Sequence, residues 1–114
     1  MAIPLRKPNE IDKLRIANIA VAKTLNYLKT TVKAGMTLKQ VDEMGEKFLR
    51  DLGARPSFKG LYGFPAAICT SLNEVIIHGI PTDVVLKEGD ILGIDIGSEI
   101  DGWYGDSAIT MPIG

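Results

Sequence analysis

The period of the hydrophobic pattern changes once, near Ala54, and that change limits the architectures open to the chain. Before it, apolar residues at Ile11, Leu14, Ala17, Val21, Leu25, Leu28 and Val32 recur at spacings of three and four, the mark of an amphipathic helix of roughly six turns. A second stripe, Leu38, Val41, Met44, Phe48 and Leu52, follows after a short break. Asn9 is expected to cap the first helix and Gly35 to stop it. Thr37 and Gln40 have the spacing of a capping box for the second, and Gly53 ends it. The pattern therefore predicts helices over about 9–34 and 37–52, joined by a short loop and packed antiparallel.

After Ala54 the helical stripes stop, and glycine, proline and β-branched residues rise. Arg55 to Lys59 reads as extended, Lys59 to Pro65 as a loop with aromatics, and Ala66 to Ser71 and Val75 to His78 as strands, with a bend at Asn73-Glu74. Strands are expected from about 55 to 112. Helices first and strands afterwards indicate an α+β fold, with two N-terminal helices packed on an antiparallel sheet. The whole of 1–114 is read as a single domain.

The last strands carry the most informative chemistry, in ILGIDIGSEIDGWYGDSAITM. Ile91, Gly93, Asp95 and Gly97 share one face of the first strand, while Leu92, Ile94 and Ile96 share the other, which is expected to be buried. Asp101-Gly102 is a hairpin turn signal, since both residues tolerate positive φ. Tyr104, Asp106, Ala108 and Thr110 then share one face of the return strand. A two-residue loop sets Asp106 opposite Gly97 and diagonal to Asp95. A shift of one position pairs the aspartates directly. Their Cβ atoms are roughly 7 Å apart in the first case and roughly 5 Å in the second.

Either register gives two carboxylates on one face, at a distance suited to bracketing cations. Gly93 and Gly97 are expected to leave that face open to a ligand. A solvated polar hairpin explains Asp101 and Gly105-Asp106 equally well. It explains Asp95 poorly, because aspartate has low strand propensity and a high cost of burial. Paired hard oxygens suit Mn²⁺ or Fe²⁺ at least as well as Zn²⁺.

His78 is the only histidine. It is read either as a structural strand-end residue or as a proton donor or hydrogen-bond partner beside the aspartates. The adjacent Gly79 favours close approach of a ligand. Cys69 reads as a small buried hydrophobe with no base to activate it. Tyr62 and Phe64 either line an apolar pocket or cap the core.

Composition excludes several classes. Hydrophobic content of 46% and charged content of 24% are those of a globular domain large enough for its own core. A net charge of −1 gives no electrostatic case for nucleic acid or an anionic membrane. No apolar run suits a membrane span, and MAIPLRKPNE lacks a signal-peptide core. A single cysteine excludes an internal disulfide, so a cytoplasmic protein is expected. P-loop, dinucleotide, zinc-ribbon and Ser-His-Asp patterns are absent from the sequence.

The segments FPAAICTSLNEVIIHGIP and GDILGIDIGSEIDGWYGDSAIT, with the ARPSFKGLYGFP run before them, resemble type I methionine aminopeptidase. The resemblance implies half of the pita-bread fold and removal of N-terminal methionine from peptides or nascent chains. It implies two divalent metals (Co, Mn, Fe or Zn) in the full enzyme, with Asp95 bridging or chelating one and Asp106 bridging both. It implies that His78 contacts substrate or the reaction intermediate, and that Phe64 and Cys69 line the methionine pocket with Tyr62 nearby.

The family's remaining ligands, one histidine and two glutamates, come from its second half, so a partial or absent metal site is expected here. Truncation is the expectation, whether as a fragment, a split version or a half-size ancestor, with very low turnover by the chain alone. The expected partners are the missing C-terminal half or a second copy of the chain. A non-catalytic binding module on the same fold is the remaining alternative.

Overall fold

Two helices and four strands form one α+β unit in the computed structural model, which describes residues 5–75, 77 and 79–114. Helix α1 spans Pro8–Thr31 and helix α2 spans Leu38–Asp51. Strands β1 (Arg55–Pro56), β2 (Ile68–Leu72), β3 (Ile91–Ile100) and β4 (Trp103–Pro112) make an antiparallel sheet. β3 is its centre, with β1 and β2 on one side and β4 on the other.

The ends of α1 differ from expectation. Pro8 occupies the first helical turn, where its fixed φ fits and its missing N–H costs nothing. Lys7 is therefore the cap, and its N–H donates to Glu10 Oε1 at 2.8 Å. Asn9 lies inside the first turn. The other end is Thr31, not Gly35, because Thr30-Thr31-Val32 is a β-branched run of low helix propensity. Val32 is buried as its place in the stripe suggests, but in extended conformation. Gly35 then turns the chain so that its N–H donates to Leu86 O at 2.8 Å.

Helix α2 begins as read. Thr37 Oγ1 accepts from Gln40 N at 3.1 Å, and Gln40 Oε1 accepts from Thr37 N at 2.8 Å. Gly53, with φ +83, follows its C-terminus. The two helices meet through Tyr27 and Phe48, whose rings stack at 4.4 Å.

The sheet buries Leu92, Ile94 and Ile96 against the helices, joined by Ile68 from β2 and by Val21, Leu28, Val41 and Leu49 from the helices. Helix α1 lies close on the hairpin. Ser98 Oγ donates to Ala17 O at 2.7 Å, and a Cβ at Gly105 would fall 2.7 Å from the Ala17 carbonyl. Only a residue without a side chain admits the helix backbone there.

The expected strand at 75–78 does not form in its described part: Val75 and Ile77 lie outside any strand, and Ile76 and His78 are outside the described residues. Instead Asn73, with φ +51, turns the chain. Its N–H donates to Ile91 O, and its side-chain oxygen accepts from Ile91 N at 2.9 Å. Among the described residues no helix is long and apolar enough to cross a membrane.

Candidate metal centre and apolar cleft

The hairpin loop decides which register the aspartates take. Asp101 and Gly102, with φ +52 and +82, form a two-residue loop, as a type I′ turn requires. Gly97 therefore pairs with Asp106, Asp95 with Ala108, and the aspartates are diagonal neighbours on one face. The ladder continues through Gly105 and Asp106 without a bulge. Asp95 is half-buried and Asp106 exposed. Asn18 of α1 holds the backbone there, its Oδ1 accepting from Asp106 N at 3.2 Å.

Strand β2 brings Cys69 opposite Asp95. Burial, then the negative charges of Asp95 and Asp106, push the Cys69 thiol up to about 11. It stays a protonated, weakly polar wall residue, in agreement with its reading as a small hydrophobe. The start of β2 is set by Asp42 of α2, whose Oδ1 accepts from both Ala67 N and Ile68 N at 2.9 Å. Burial raises the Asp42 carboxyl above its ordinary range, against the pull of these two bonds.

Asp95, Asp106, Cys69, Phe64 and Tyr62 all border one open cleft of about 500 Å³. Its polar end is the carboxylate pair, and its apolar walls come mainly from the loop before β2. That loop folds on itself: Gly60 N donates to Phe64 O at 2.8 Å, and Leu61–Gly63 forms a short 3₁₀ turn. Tyr62 stands fully exposed at its tip, with φ +49. His78 lies outside the described residues. Gly79 beside it is packed on β2, with Thr70 N donating to Gly79 O at 2.8 Å and a Cβ at 79 colliding with Thr70 O. The close approach that this glycine serves is to the protein's own backbone.

Phe58, Leu61 and Ile80 also line the cleft and were not singled out from the sequence. Phe58 was hidden in an extended segment whose facing could not be known before its pairing with β3. Gly97 corrects a second expectation. Its side of the sheet is not open, since Phe58 and Ser57 fill the space a side chain there would take.

Two carboxylates beside a cleft fit part of a divalent-cation site. Among the described residues, no group of three or more His, Cys, Asp or Glu side chains is arranged to hold a metal. With the Cys69 thiol protonated, the described donors are the two carboxylates.

A sequence profile described as metallopeptidase family M24 matches residues 12–114, and the chain belongs to that family. Its relatives narrow the likeness to one branch. It is 56% identical over 114 residues to the methionine aminopeptidase of Helicobacter pylori, and 47% identical over 109 residues to methionine aminopeptidase 1 of Bacillus subtilis. The crystal structure of methionine aminopeptidase from Rickettsia prowazekii superposes on 99% of this chain with a TM-score of 0.96 and 36% identity. The chain spans about 45% of the length of the Helicobacter relative, 44% of the Bacillus one and 46% of the Rickettsia chain. Its two helices and antiparallel sheet are thus half of the pita-bread fold.

Proposed function

We propose that residues 1–114 are one half-domain of a dinuclear methionyl aminopeptidase. Asp95 and Asp106 would supply two of its metal-binding carboxylates, and the cleft beside them would receive the methionine side chain. The observation that carries this reading is the convergence on one cleft of two diagonal carboxylates and an apolar wall.

Divalent ions held by such carboxylates supply Lewis-acid polarisation of a carbonyl and activation of water, and aminopeptidases are an established example of two-metal sites. The chain's own residues do the rest. Phe58, Phe64 and Cys69 exclude water from the bound side chain and favour an unbranched apolar one. The uncharged Cys69 thiol adds no third negative charge beside the carboxylates. His78 is assigned contact with the substrate or reaction intermediate. The substrate is a peptide or nascent chain with N-terminal methionine, and the setting is cytoplasmic.

The test is complementation. The chain is mixed with the C-terminal segment of the Helicobacter relative, and Mn²⁺ affinity and methionine release are measured. Tight Mn²⁺ binding and turnover that appear only in the mixture, and vanish with Asp95→Asn or Asp106→Asn, support the reading. No gain of either on mixing overturns it.

A second reading, self-association into a homodimer, is favoured by one observation. The outer edge of β4 pairs with no strand among the described residues, and unpaired edges invite association. Sedimentation of the chain as a strict monomer at high concentration sinks it.

A further inference from the structure

Gly97 has no conformational reason to be glycine. It sits in the middle of β3, where glycine weakens a strand. It is absent from the glycines with left-handed φ. What it provides is room. A Cβ built there would meet the Ser57 Oγ first, a hydroxyl that can rotate away, and then the ring of Phe58, 2.6 Å from Cε1 and 3.0 Å from Cδ1. Gly93, on the same face of the same strand, would carry a Cβ in ordinary contact at 3.5 Å from Ser71. The crowding is local to Gly97.

Phe58 is tethered on both flanks. On one side Ser57 N donates to Gly97 O at 3.1 Å. On the other, Lys59 Nζ is 2.9 Å from Glu46 Oε1, and Glu46 Oε2 is held in turn by Arg50 Nε at 2.9 Å. Leu61 N closes the turn by donating to Phe58 O at 2.9 Å. With its backbone pinned and Gly97 behind its ring, Phe58 has its free side toward the cleft it lines.

We propose that Gly97 is a positioning residue that seats Phe58 as the wall of the cleft and so sets the size of apolar side chain the cleft accepts. A methyl group at position 97 would force the ring off its seat, because overpacking of a close-packed site drives neighbouring side chains out of their rotamers. The inference rests on the cleft's being an apolar side-chain pocket.

The test uses Gly97→Ala, Phe58→Ala and the double variant, in the same complemented complex and in the chain alone. Two readouts are taken: affinity for the amides of 2-aminobutyrate, norvaline and norleucine, and the aromatic NMR resonances of Phe58. Gly97→Ala is expected to displace the Phe58 resonances and move preference toward the shorter side chains by roughly tenfold. In the Phe58→Ala background the same substitution is expected to have no effect on preference.

Unchanged resonances and preference in a folded Gly97→Ala protein overturn the proposal, as does a shift that persists undiminished without Phe58. If Gly97→Ala does not fold, the double variant must fold and Phe58→Ala alone must favour longer side chains; failure of either overturns it. Displaced Phe58 resonances, with no amide bound even by the unsubstituted protein, uphold the seating and strike the cleft reading alone.

Discussion

On one face of the β3–β4 hairpin, Ser98 and Gly105 press against Ala17 of α1; on the other, Asp95 and Asp106 border an open cleft. The two sets come from the same two strands, at positions that point to opposite faces. The helix face is closed to the ångström and leaves no room for an added methyl at Gly105. The cleft face carries its charges beside space. The contrast teaches how a weakly favoured arrangement, two like charges in proximity, is maintained. Burial of Leu92, Ile94 and Ile96 at roughly 1.5–3 kcal/mol each holds the hairpin flat on the helices, and the carboxylates follow because the pleat alternates.

The sharpest way to break this contrast is to open the closed face. Gly105→Ala drives a methyl into the Ala17 backbone and is expected to cost about 3 kcal/mol in urea unfolding. A loss below about 0.5 kcal/mol would mean that α1 shifts freely and does not fix the hairpin.

Next in size is Asp42→Ala. It leaves the Ala67 and Ile68 N–H groups without their acceptor where β2 begins, for an expected loss of about 2 kcal/mol. Preserved stability would show that water replaces the carboxylate and that β2 needs no anchor from α2.

A smaller effect lies in acid. The Lys87 backbone N–H and the Asn73 amide hold the Asp90 carboxyl below its ordinary range. Its stabilising contribution is therefore complete above the unfolded value near 3.9 and disappears as pH falls through the lowered folded value. Asp42, raised by burial, has the opposite sign: its contribution is greatest at low pH and declines as pH rises through the raised value. Asp90→Asn should flatten the acid limb of stability, followed as urea midpoint between pH 2 and 6. An unchanged limb would mean that the Lys87 and Asn73 bonds do not set the acid stability of the fold.

The smallest change is expected on the cleft face. Asp106→Asn, at an exposed position bordering empty space, should leave stability within about 0.5 kcal/mol by thermal unfolding. A loss comparable to that of Gly105→Ala would erase the distinction between the two faces.

Features set by neighbours in the chain were legible from it. The Thr37–Gln40 capping box, the Asp101-Gly102 loop and the buried Leu92-Ile94-Ile96 face each depend on residues a few positions apart, so local chemistry determines them. The family likeness was legible for a related reason, since it rests on contiguous motifs from Phe64 to Thr110. Where local pattern misled, a distant partner had decided otherwise. Val75 and Ile77 have strand composition but lie outside any strand, because Asn73 turns the chain onto Ile91 instead. Gly35 looked like a helix stop, yet it serves a pairing with Leu86.

By itself, then, the sequence determined two helices, a hairpin, its buried face and the presence of two aspartates on the other. Between the two hairpin registers left open by the pattern, the two-residue Asp101-Gly102 loop gives the diagonal pair. Tertiary structure brought Cys69 opposite Asp95 and folded the Phe58–Phe64 loop over the same face to make a cleft. It also turned Gly97 from an opening into a seat for Phe58. The division follows from range. Caps, turns and pleat alternation are fixed by bonds within a few residues, whereas a cleft exists only where segments tens of residues apart are held together by a core they share.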